Sequence, residues 1–216
     1  MIVVLLGPPG AGKGTQGERV AAALGVPKIS TGDVIRDAMK AGTPMGLAAK
    51  SYYDRGDLVP DNVILGIMKD ALSAPAQTEG VVLDGVVRTV PQAEGLNAVL
   101  ADLGRHLDVV MLFKIEDDAL VARLSARTVC DACQSPFTGR SPGELHAECV
   151  KRPKGHLMRR KDDEPEAVRN RLQVYEHQTA PVIAWYREHD QHIAEIDALG
   201  TFDEVKARAL QAVGKG

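Results

Sequence analysis

The chain has 216 residues, enough for one core domain with small insertions, and its 44% hydrophobic and 25% charged residues are ordinary for a globular protein. The formal net charge of −3 leaves no excess of basic residues to neutralise a nucleic-acid backbone, which disfavours nucleic acid as a partner. The first apolar run, residues 2–6, is far shorter than the ~20 residues of a membrane span and follows no basic segment, so we expect no membrane anchor and a cytoplasmic location.

Five short apolar segments predict the strands of a sheet. Several are almost continuously apolar, which is typical of parallel strands covered on both faces. They are residues 2–6, 26–29, 81–83, 109–115 and 192–196. Helical patterns occupy residues 13–24, 34–41, 45–55, 61–72, 91–100, 117–127, 166–189 and 202–213. This alternation predicts an α/β fold with a doubly wound, five-stranded parallel sheet.

Two stretches interrupt the alternation of strand and helix. Several helices lie between the second and third predicted strands. Between Arg127 and Asp163 the helical pattern gives way to Cys, Pro, Gly and basic residues. A connection longer than ~15 residues is usually functional, and an active-site lid is one common kind.

The strongest motif is Gly-Pro-Pro-Gly-Ala-Gly-Lys-Gly-Thr at residues 7–15, directly after a strand and at the start of a helix. In this context the motif predicts a phosphate-binding loop, whose backbone N–H groups surround phosphate oxygens. Lys13 would reach the β- and γ-phosphates, and the Thr15 hydroxyl would ligate Mg²⁺. Gly14 separates Lys13 from Thr15, which is a variant of the general pattern. A simple glycine turn is the alternative, which the agreement of motif and context disfavours.

Asp84 follows the third predicted strand. A carboxylate at the end of a parallel strand beside a phosphate loop can hold the water shell of a metal ion. A turn former or helix cap is the alternative role for this residue. Beside this loop we favour the metal role.

A series of motifs in order resembles the adenylate kinases. They are Gly7-x-Pro-Gly-x-Gly-Lys-Gly-Thr15, Ile29-Ser-Thr-Gly-Asp33, Leu83-Asp-Gly85 with Arg88-Thr89, Arg160-Lys-Asp-Asp163, Val168-Arg-Asn-Arg-Leu172 and Thr179-Ala-Pro181. The resemblance covers nearly the whole chain. It implies a nucleoside monophosphate kinase fold of the long-lid form, in which Mg·ATP and AMP give two ADP. It also implies a monomer with a core (1–29, 60–125 and 164–216) and two mobile inserts, the AMP-binding insert (30–59) and the lid (126–163).

Matching positions imply the site residues. ATP would contact Gly10, Ala11, Gly12, Lys13, Gly14, Thr15, Arg123, Arg127, Pro136, Phe137 and Gly200. AMP would contact Thr31, Arg36, Asp57, Leu58, Val59, Gly85, Arg88, Gln92, Arg160 and Arg171. The catalytic set would be Lys13, Asp84, Arg88, Arg123, Arg127, Arg160 and Arg171, with Asp162 and Asp163 at the lid hinge. Phosphoryl transfer needs positive charge and positioning, and arginine supplies a permanent charge in a planar fork. Spacing i, i+4 predicts that Arg123 and Arg127 share one helix face.

Cysteines cluster in the lid. Cys130 and Cys133 form one close pair, and His146 and Cys149 form a second. Four N/S ligands in two pairs suit a structural tetrahedral Zn²⁺, and some adenylate kinases resemble this arrangement. His156 is a rival for the fourth ligand. A metal-free lid with reactive thiols is the alternative. Two ligand pairs at this spacing resemble a zinc ribbon, a module that can bind nucleic acid, but the scarcity of aromatic residues around the pairs and the acidic chain disfavour that use.

Two other functions stay open at this point. One is a kinase for CMP, UMP or GMP. By resemblance to the family, Thr31 and the long lid favour AMP over these acceptors. The other is a non-catalytic nucleotide-binding protein, suggested by Val86-Val87, where the family usually has Phe-Pro. We expect Gly85 to redirect the chain there, so that Arg88 still faces the AMP phosphate. We also expect weaker AMP binding, which Val86→Phe with Val87→Pro would improve.

Overall fold

The structure is a computed structural model that describes residues 1–73, 79–151 and 153–215. The strands of the described residues form two sheets. In chain order they are β1 (Ile2–Leu6), β2 (Lys28–Ser30), β3 (Val81–Asp84), β4 (Val109–Lys114), β5 (Arg127–Cys130), β6 (Pro136–Thr138), β7 (Leu157–Met158) and β8 (Ile193–Asp197).

The larger sheet has five parallel strands in the order β2-β3-β1-β4-β8. The predicted parallel sheet of five strands is therefore confirmed. The second strand starts two residues later than predicted, because Pro27 has no N–H to donate to the ladder; its carbonyl accepts from the N–H of Val82 at 2.9 Å. The last strand is shifted by one residue relative to its predicted position.

The helices of the described residues connect the strands, and the last helix follows β8. They are α1 (Lys13–Leu24), α2 (Thr31–Lys40), α3 (Pro44–Arg55), α4 (Asp61–Leu72), α5 (Val90–Asp102), α6 (Asp117–Ser125), α7 (Pro165–Val174), α8 (Ala180–Glu188) and α9 (Phe202–Gln211). A π turn at Tyr175–Thr179 joins α7 to α8, so the long helix predicted at 166–189 is one helical run in three parts. Helix α2 starts three residues earlier than predicted, because the Ser30 hydroxyl accepts from the N–H of Asp33 and caps it.

Both faces of the large sheet are covered. Side chains alternate along β1, so Ile2, Val4 and Leu6 join one apolar cluster, while Val3 and Leu5 join the cluster on the opposite face. The carboxyl ends of the strands are left to carry the loops of a site. Among the helices that the structure describes, none has the length and apolarity to cross a membrane.

The lid segment, residues 126–163, forms the second sheet. Its strands are antiparallel in the order β6-β5-β7. Its apolar core is small and consists of the buried residues Cys130, Cys149 and Leu157, with a few partly buried neighbours. So small a core needs another source of stability, such as a metal ion.

Candidate functional site

The phosphate loop joins β1 to α1. Gly10 and Gly12 have positive φ of 88° and 86°, which turns backbone N–H groups toward one point at the start of the helix. The Lys13 ammonium lies over the loop and donates to the carbonyls of Gly7 at 2.6 Å and Pro8 at 2.8 Å. Burial lowers the pKa of Lys13 to about 7, although the Asp84 carboxylate opposes this shift. The loop is therefore built to receive an anion that restores the charge of this lysine.

Asp84 ends β3 beside the first turn of α1. A Cβ at Gly14 would lie 3.3 Å from Oδ2 of Asp84, so the glycine in the variant motif leaves this carboxylate close to the helix start. Thr15 follows in the same turn. Carboxylate and hydroxyl oxygens are ligands that Mg²⁺ prefers, and these two residues are fit to hold that ion with a bound nucleotide.

A cavity of about 550 Å³ extends from the phosphate loop to the insert segment, residues 30–59, and to the lid segment. Its walls include all but one of the residues predicted to bind nucleotide or to act in catalysis. Those present are Gly10, Ala11, Gly12, Lys13, Gly14, Thr15, Thr31, Arg36, Asp57, Leu58, Val59, Asp84, Gly85, Arg88, Gln92, Arg123, Arg127, Pro136, Arg160, Arg171 and Gly200.

Phe137 is the predicted ATP contact that does not line this cavity. Its ring packs edge-on against the His146 ring, with centroids 4.8 Å apart, and the Arg140 guanidinium lies 5.2 Å above it. Strand alternation explains this position, because the neighbours Pro136 and Thr138 face the cavity while Phe137 faces the core of the lid segment.

Val86 and Val87 are buried in the main core at 1% exposure each. Val87 reaches the cavity wall, whereas Val86 is absent from it. Gly85 has φ +66°, and the Arg88 side chain bends back so that Nε donates to the Gly85 carbonyl at 3.2 Å. Arg88 lines the cavity. Its contact with the AMP phosphate and the effect of Val86→Phe with Val87→Pro on AMP binding stay predictions.

Among the described residues, six arginines line the same cavity. They are Arg36, Arg88, Arg123, Arg127, Arg160 and Arg171. Arg127 was predicted to continue the helix of Arg123, which is wrong: α6 ends at Ser125, and Arg127 pairs with Thr138 as the first residue of β5. The two arginines therefore approach the cavity from different elements. Arg123 donates to the Ala198 carbonyl at 2.9 Å.

The arginine cluster lacks enough negative charge to balance it locally. Burial lowers the pKa of Arg88, and the nearby Arg171 lowers it further. Burial, with Arg36 and Arg127 nearby, lowers the pKa of Arg160 to about 10. Within the described part of the chain, Nε of Arg36 and Nε of Arg160 are buried without a hydrogen-bond partner. Such a cluster favours a polyanion, whose oxygens would pair these donors.

Two buried aspartates hold part of the cluster. Nε of Arg127 donates to Asp163 at 2.7 Å, and a second nitrogen also bonds this carboxylate. NH1 of Arg171 lies 3.0 Å from the carboxylate of Asp162 and 3.2 Å from that of Asp163. Both aspartates lie in the 3₁₀ turn Lys161–Asp163, where the lid segment meets α7. The turn thus holds Arg127 of β5 and Arg171 of α7.

Tyr53 connects the insert segment to this turn, and its role was not anticipated from the sequence. Its hydroxyl accepts from NH1 of Arg36 at 3.2 Å and donates to Oδ1 of Asp162 at 3.2 Å. Burial and the Asp162 carboxylate raise the pKa of the phenol, so it stays neutral and keeps its hydrogen. One hydroxyl thereby joins α3 to Arg36 of α2 and to Asp162 of the 3₁₀ turn.

Tyr53→Phe should lower kcat/KM for the nucleotide that Arg36 holds by roughly tenfold, because it removes two hydrogen bonds to charged groups. The melting temperature should change little, since the ring remains. Tyr52→Phe is the matched control, because the ring of Tyr52 lies 5.5 Å from the Arg55 guanidinium and does not line the cavity. Equal kinetics for the two variants would show that the bridge has no role.

The predicted metal ligands converge in the lid segment. The ligand atoms of Cys130, Cys133, His146 and Cys149 all lie within 4.8 Å of one another. The Cys130 and Cys149 sulfurs are 3.8 Å apart, and Sγ of Cys133 is 3.3 Å from Nδ1 of His146. Two thiolates on tetrahedral zinc, with Zn–S of about 2.3 Å, would be about 3.8 Å apart. The four side chains therefore fit a closed tetrahedral metal site.

The rival ligand His156 lies outside this cluster. Its side chain is exposed. Its backbone N–H donates to Oδ1 of Asp131 at 3.0 Å, and its carbonyl accepts from the N–H of Asp131 at 3.0 Å. Gly155, which was not predicted from the sequence, lies closer to the cluster than His156 does. A Cβ at this position would lie 2.4 Å from Sγ of Cys130, and the Gly155 carbonyl accepts from the N–H of His146 at 2.9 Å. Backbone at residue 155 thus closes one side of the metal site.

Comparison with known proteins agrees with this geometry. The family model described as adenylate kinase matches residues 5–191. The chain belongs to the adenylate kinase family. A curated relative named adenylate kinase from Gemmatimonas aurantiaca is 62% identical over 213 residues, 99% of each chain. Adenylate kinases from Syntrophotalea carbinolica and Methanocella arvoryzae are 42% and 43% identical, with 99% or more of each chain covered.

Membership in the adenylate kinase family makes the chain a nucleoside monophosphate phosphotransferase. Enzymes of this family use Mg·ATP and bind ATP, AMP and ADP. The fold class and the enzyme class expected from the motifs are confirmed. The comparisons favour adenylate kinase over a kinase for CMP, UMP or GMP and over a non-catalytic nucleotide-binding protein.

Proposed function

We propose that the chain transfers the terminal phosphoryl group of Mg·ATP to AMP and gives two ADP. The observation that supports this most is one cavity whose wall includes the phosphate loop, the six arginines and the buried apolar side chains Ile35, Val59 and Ile64. Lys13 and Gln92 both line this cavity, and we assign them to two parts of it, a donor lobe at the phosphate loop and an acceptor lobe at the insert segment. Two nucleotides whose phosphates meet among the arginines would occupy such a cavity.

In this proposal ATP lies along the phosphate loop, with Arg123, Pro136 and Gly200 near its base and sugar. Phe137 supports His146 instead of touching the nucleotide. AMP occupies the second lobe, whose residues are Thr31, Arg36, Asp57, Leu58, Val59, Gly85, Arg88 and Gln92, with Arg160 and Arg171 at the junction of the two lobes. Residues 30–59 and 126–163 would move as an AMP-binding insert and a lid against a core of 1–29, 60–125 and 164–216.

Catalysis in this site is electrostatic and positional. The AMP phosphate is already an anionic nucleophile, so the reaction needs no general base. Lys13 neutralises charge on the transferring group, and Arg127, Arg160 and Arg171 hold its oxygens in line. Bound Mg²⁺ would neutralise the β- and γ-phosphate oxygens, with Thr15 and Asp84 to hold it. Closing the lid segment over the phosphates would exclude water, which otherwise hydrolyses ATP.

We propose that the ion in the lid segment is Zn²⁺ and that its role is structural. Three thiolates and one imidazole are a ligand set that zinc prefers, and four protein ligands leave no open position for a substrate. Ser135 lies 3.2 Å from the sulfur of Cys133, close enough for its hydroxyl to support a thiolate ligand. We also propose that the protein is a monomer, because one chain contributes all the described residues that line the cavity. Gel filtration tests this. A cytoplasmic location is part of the same proposal.

The pH dependence of ATP binding should report on Lys13. Its pKa of about 7 in the free enzyme means that the ammonium is charged below this pH and is lost as pH rises through it. We therefore expect kcat/KM for Mg·ATP to fall above pH about 7. In Lys13→Arg the charge persists at every working pH, so that limb of its profile should be flat. A wild-type profile that stays level to pH 9 would contradict this.

A coupled assay with Mg·ATP and each of AMP, GMP, CMP and UMP tests the proposed acceptor. We expect ADP to form with AMP and much more slowly with the others. Equal rates with CMP or UMP would assign the chain to another monophosphate kinase activity, and no turnover with any acceptor would leave only nucleotide binding.

A further inference from the structure

The acceptor lobe ends in a wall suited to a base and not to a phosphate. Ile35, Val59 and Ile64 are buried side chains that line the cavity there, and Gln92 brings an uncharged amide. Apolar walls fit the faces of a flat heterocycle, and an amide can pair with its edge by donating one hydrogen bond and accepting another. This part of the site therefore reads a base edge, provided that the proposed function holds.

The orientation of the Gln92 amide is set by its two partners. Its Oε1 accepts from the backbone N–H of Arg88 at 2.7 Å, and its Nε2 donates to Oδ1 of Asp61 at 2.7 Å. A backbone N–H only donates, and an ionised carboxylate only accepts. Turning the amide over would place NH₂ against the N–H and oxygen against the carboxylate. Both contacts would then be repulsive, so the chemistry of the partners permits one orientation.

Asp61 is itself held in place. It is the first residue of α4, and its Oδ1 also accepts from the Thr89 hydroxyl at 3.0 Å. The Thr89 oxygen in turn accepts from the N–H of Gln92 at 3.3 Å and caps α5. Three bonds thus tie the ends of two helices and the amide into one network, with Gln92 only 1% exposed. The carboxylate has little freedom to release the amide.

A fixed amide distinguishes two classes of base. Each amide atom keeps one further position, a lone pair on Oε1 and a hydrogen on Nε2. A 6-amino purine offers an N6 hydrogen and an N1 lone pair, which match that pair of groups. A 6-oxo purine offers oxygen and N1–H in the same places, which oppose both. A glutamine free to turn over would accept either class.

We propose that Asp61 is a positioning residue that makes the acceptor site select a 6-amino purine monophosphate over a 6-oxo purine monophosphate, by holding the amide of Gln92 in one orientation. The proposal deepens the proposed function and rests on it. Asp61 touches no substrate in this account and acts through Gln92. Sites built around buried polar groups reject the mismatched base strongly, because its groups are left unpaired or opposed.

The experiment compares AMP with inosine monophosphate, which carries oxygen in place of the 6-amino group. The ratio of kcat/KM for the two acceptors is measured with Mg·ATP for wild type and for Asp61→Asn. An asparagine amide can turn to suit either orientation of Gln92, so one of the two opposing contacts disappears. We expect the preference for AMP to fall by at least about tenfold, with a gain for inosine monophosphate that a purely structural role would not produce.

Asp70→Asn is the matched control, because it makes the same change at an exposed position of α4. Asp61→Ser, whose hydroxyl both donates and accepts, serves as the second variant if Asp61→Asn does not fold. If turnover is impaired, calorimetry measures the dissociation constants of both monophosphates, and their ratio replaces the ratio of kcat/KM values. Wild type inactive with AMP would refute the proposed function. An AMP preference kept within twofold in the variant, with wild type active, would overturn this inference alone.

Discussion

Replacing Lys13 with Met should lower kcat by roughly 10³-fold, in the range seen when one charged or hydrogen-bonding group that stabilises a transition state is removed. The Lys13 ammonium lies on the phosphate loop near Asp84, and burial lowers its pKa to about 7, which disfavours its charge. A phosphoryl group in transfer supplies the opposing charge. The interaction is therefore strongest when that charge develops, and KM for AMP should change by no more than a few-fold.

Lys69→Met is the matched control for Lys13→Met. Lys69 is an exposed residue near the end of α4 and does not line the cavity. Steady-state kinetics with both substrates varied separate kcat from the two KM values. A Lys13→Met protein with wild-type kcat would show that the loop does not bind the transferring phosphates.

Cys130→Ser should abolish tight metal binding and lower the melting temperature by roughly 10 °C, since structural zinc supplies folding free energy to a segment with a small core. Cys130 is completely buried beside Cys149, so no water can replace its sulfur easily. Elemental analysis should find about one zinc per chain in the wild type and almost none in the variant. Calorimetry measures the shift in melting temperature.

Histidine variants separate the two candidate ligands. His146→Asn should lose the metal, because Nδ1 of His146 lies 3.3 Å from Sγ of Cys133, whereas His156→Asn should keep it. Below the melting temperature of the metal-free lid segment, some activity should remain, because the cluster is distinct from the phosphate-binding groups. Wild-type protein without bound metal, or loss of metal from His156→Asn alone, would contradict the assignment.

Local signals allowed much of the fold and site to be predicted. The phosphate loop follows a strand and opens a helix, a pattern with few alternative structures, and the apolar runs of β1 and β4 have the composition of strands buried on both faces. The cluster of Cys130, Cys133, His146 and Cys149 was predictable because paired Cys and His residues at short spacing have one dominant use. The close approach of Gly155 to Sγ of Cys130 was not predictable from this spacing, because the fold brings the two residues together.

Other features depend on tertiary contacts that local patterns do not encode. Arg127 fits the helical spacing of Arg123, but pairing with Thr138 draws it into β5 instead. Tyr53 resembles an ordinary partly buried residue of an amphipathic helix until the fold brings its hydroxyl to Asp162. Asp61 likewise resembles a helix-start acid, and its bond to Gln92 crosses 31 positions of the chain. Each contact joins elements whose relative placement is set by packing.

The destination of the γ-phosphoryl group distinguishes transfer to AMP from hydrolysis of ATP and from binding without reaction. ATP labelled in its γ-phosphate is mixed with excess enzyme, Mg²⁺ and AMP, and the products are separated after a single turnover. We expect the label to appear in the β-phosphate of an ADP formed from AMP, with one unlabelled ADP formed from ATP for each labelled one. Label found as inorganic phosphate, or ATP left intact while AMP is bound, would contradict it.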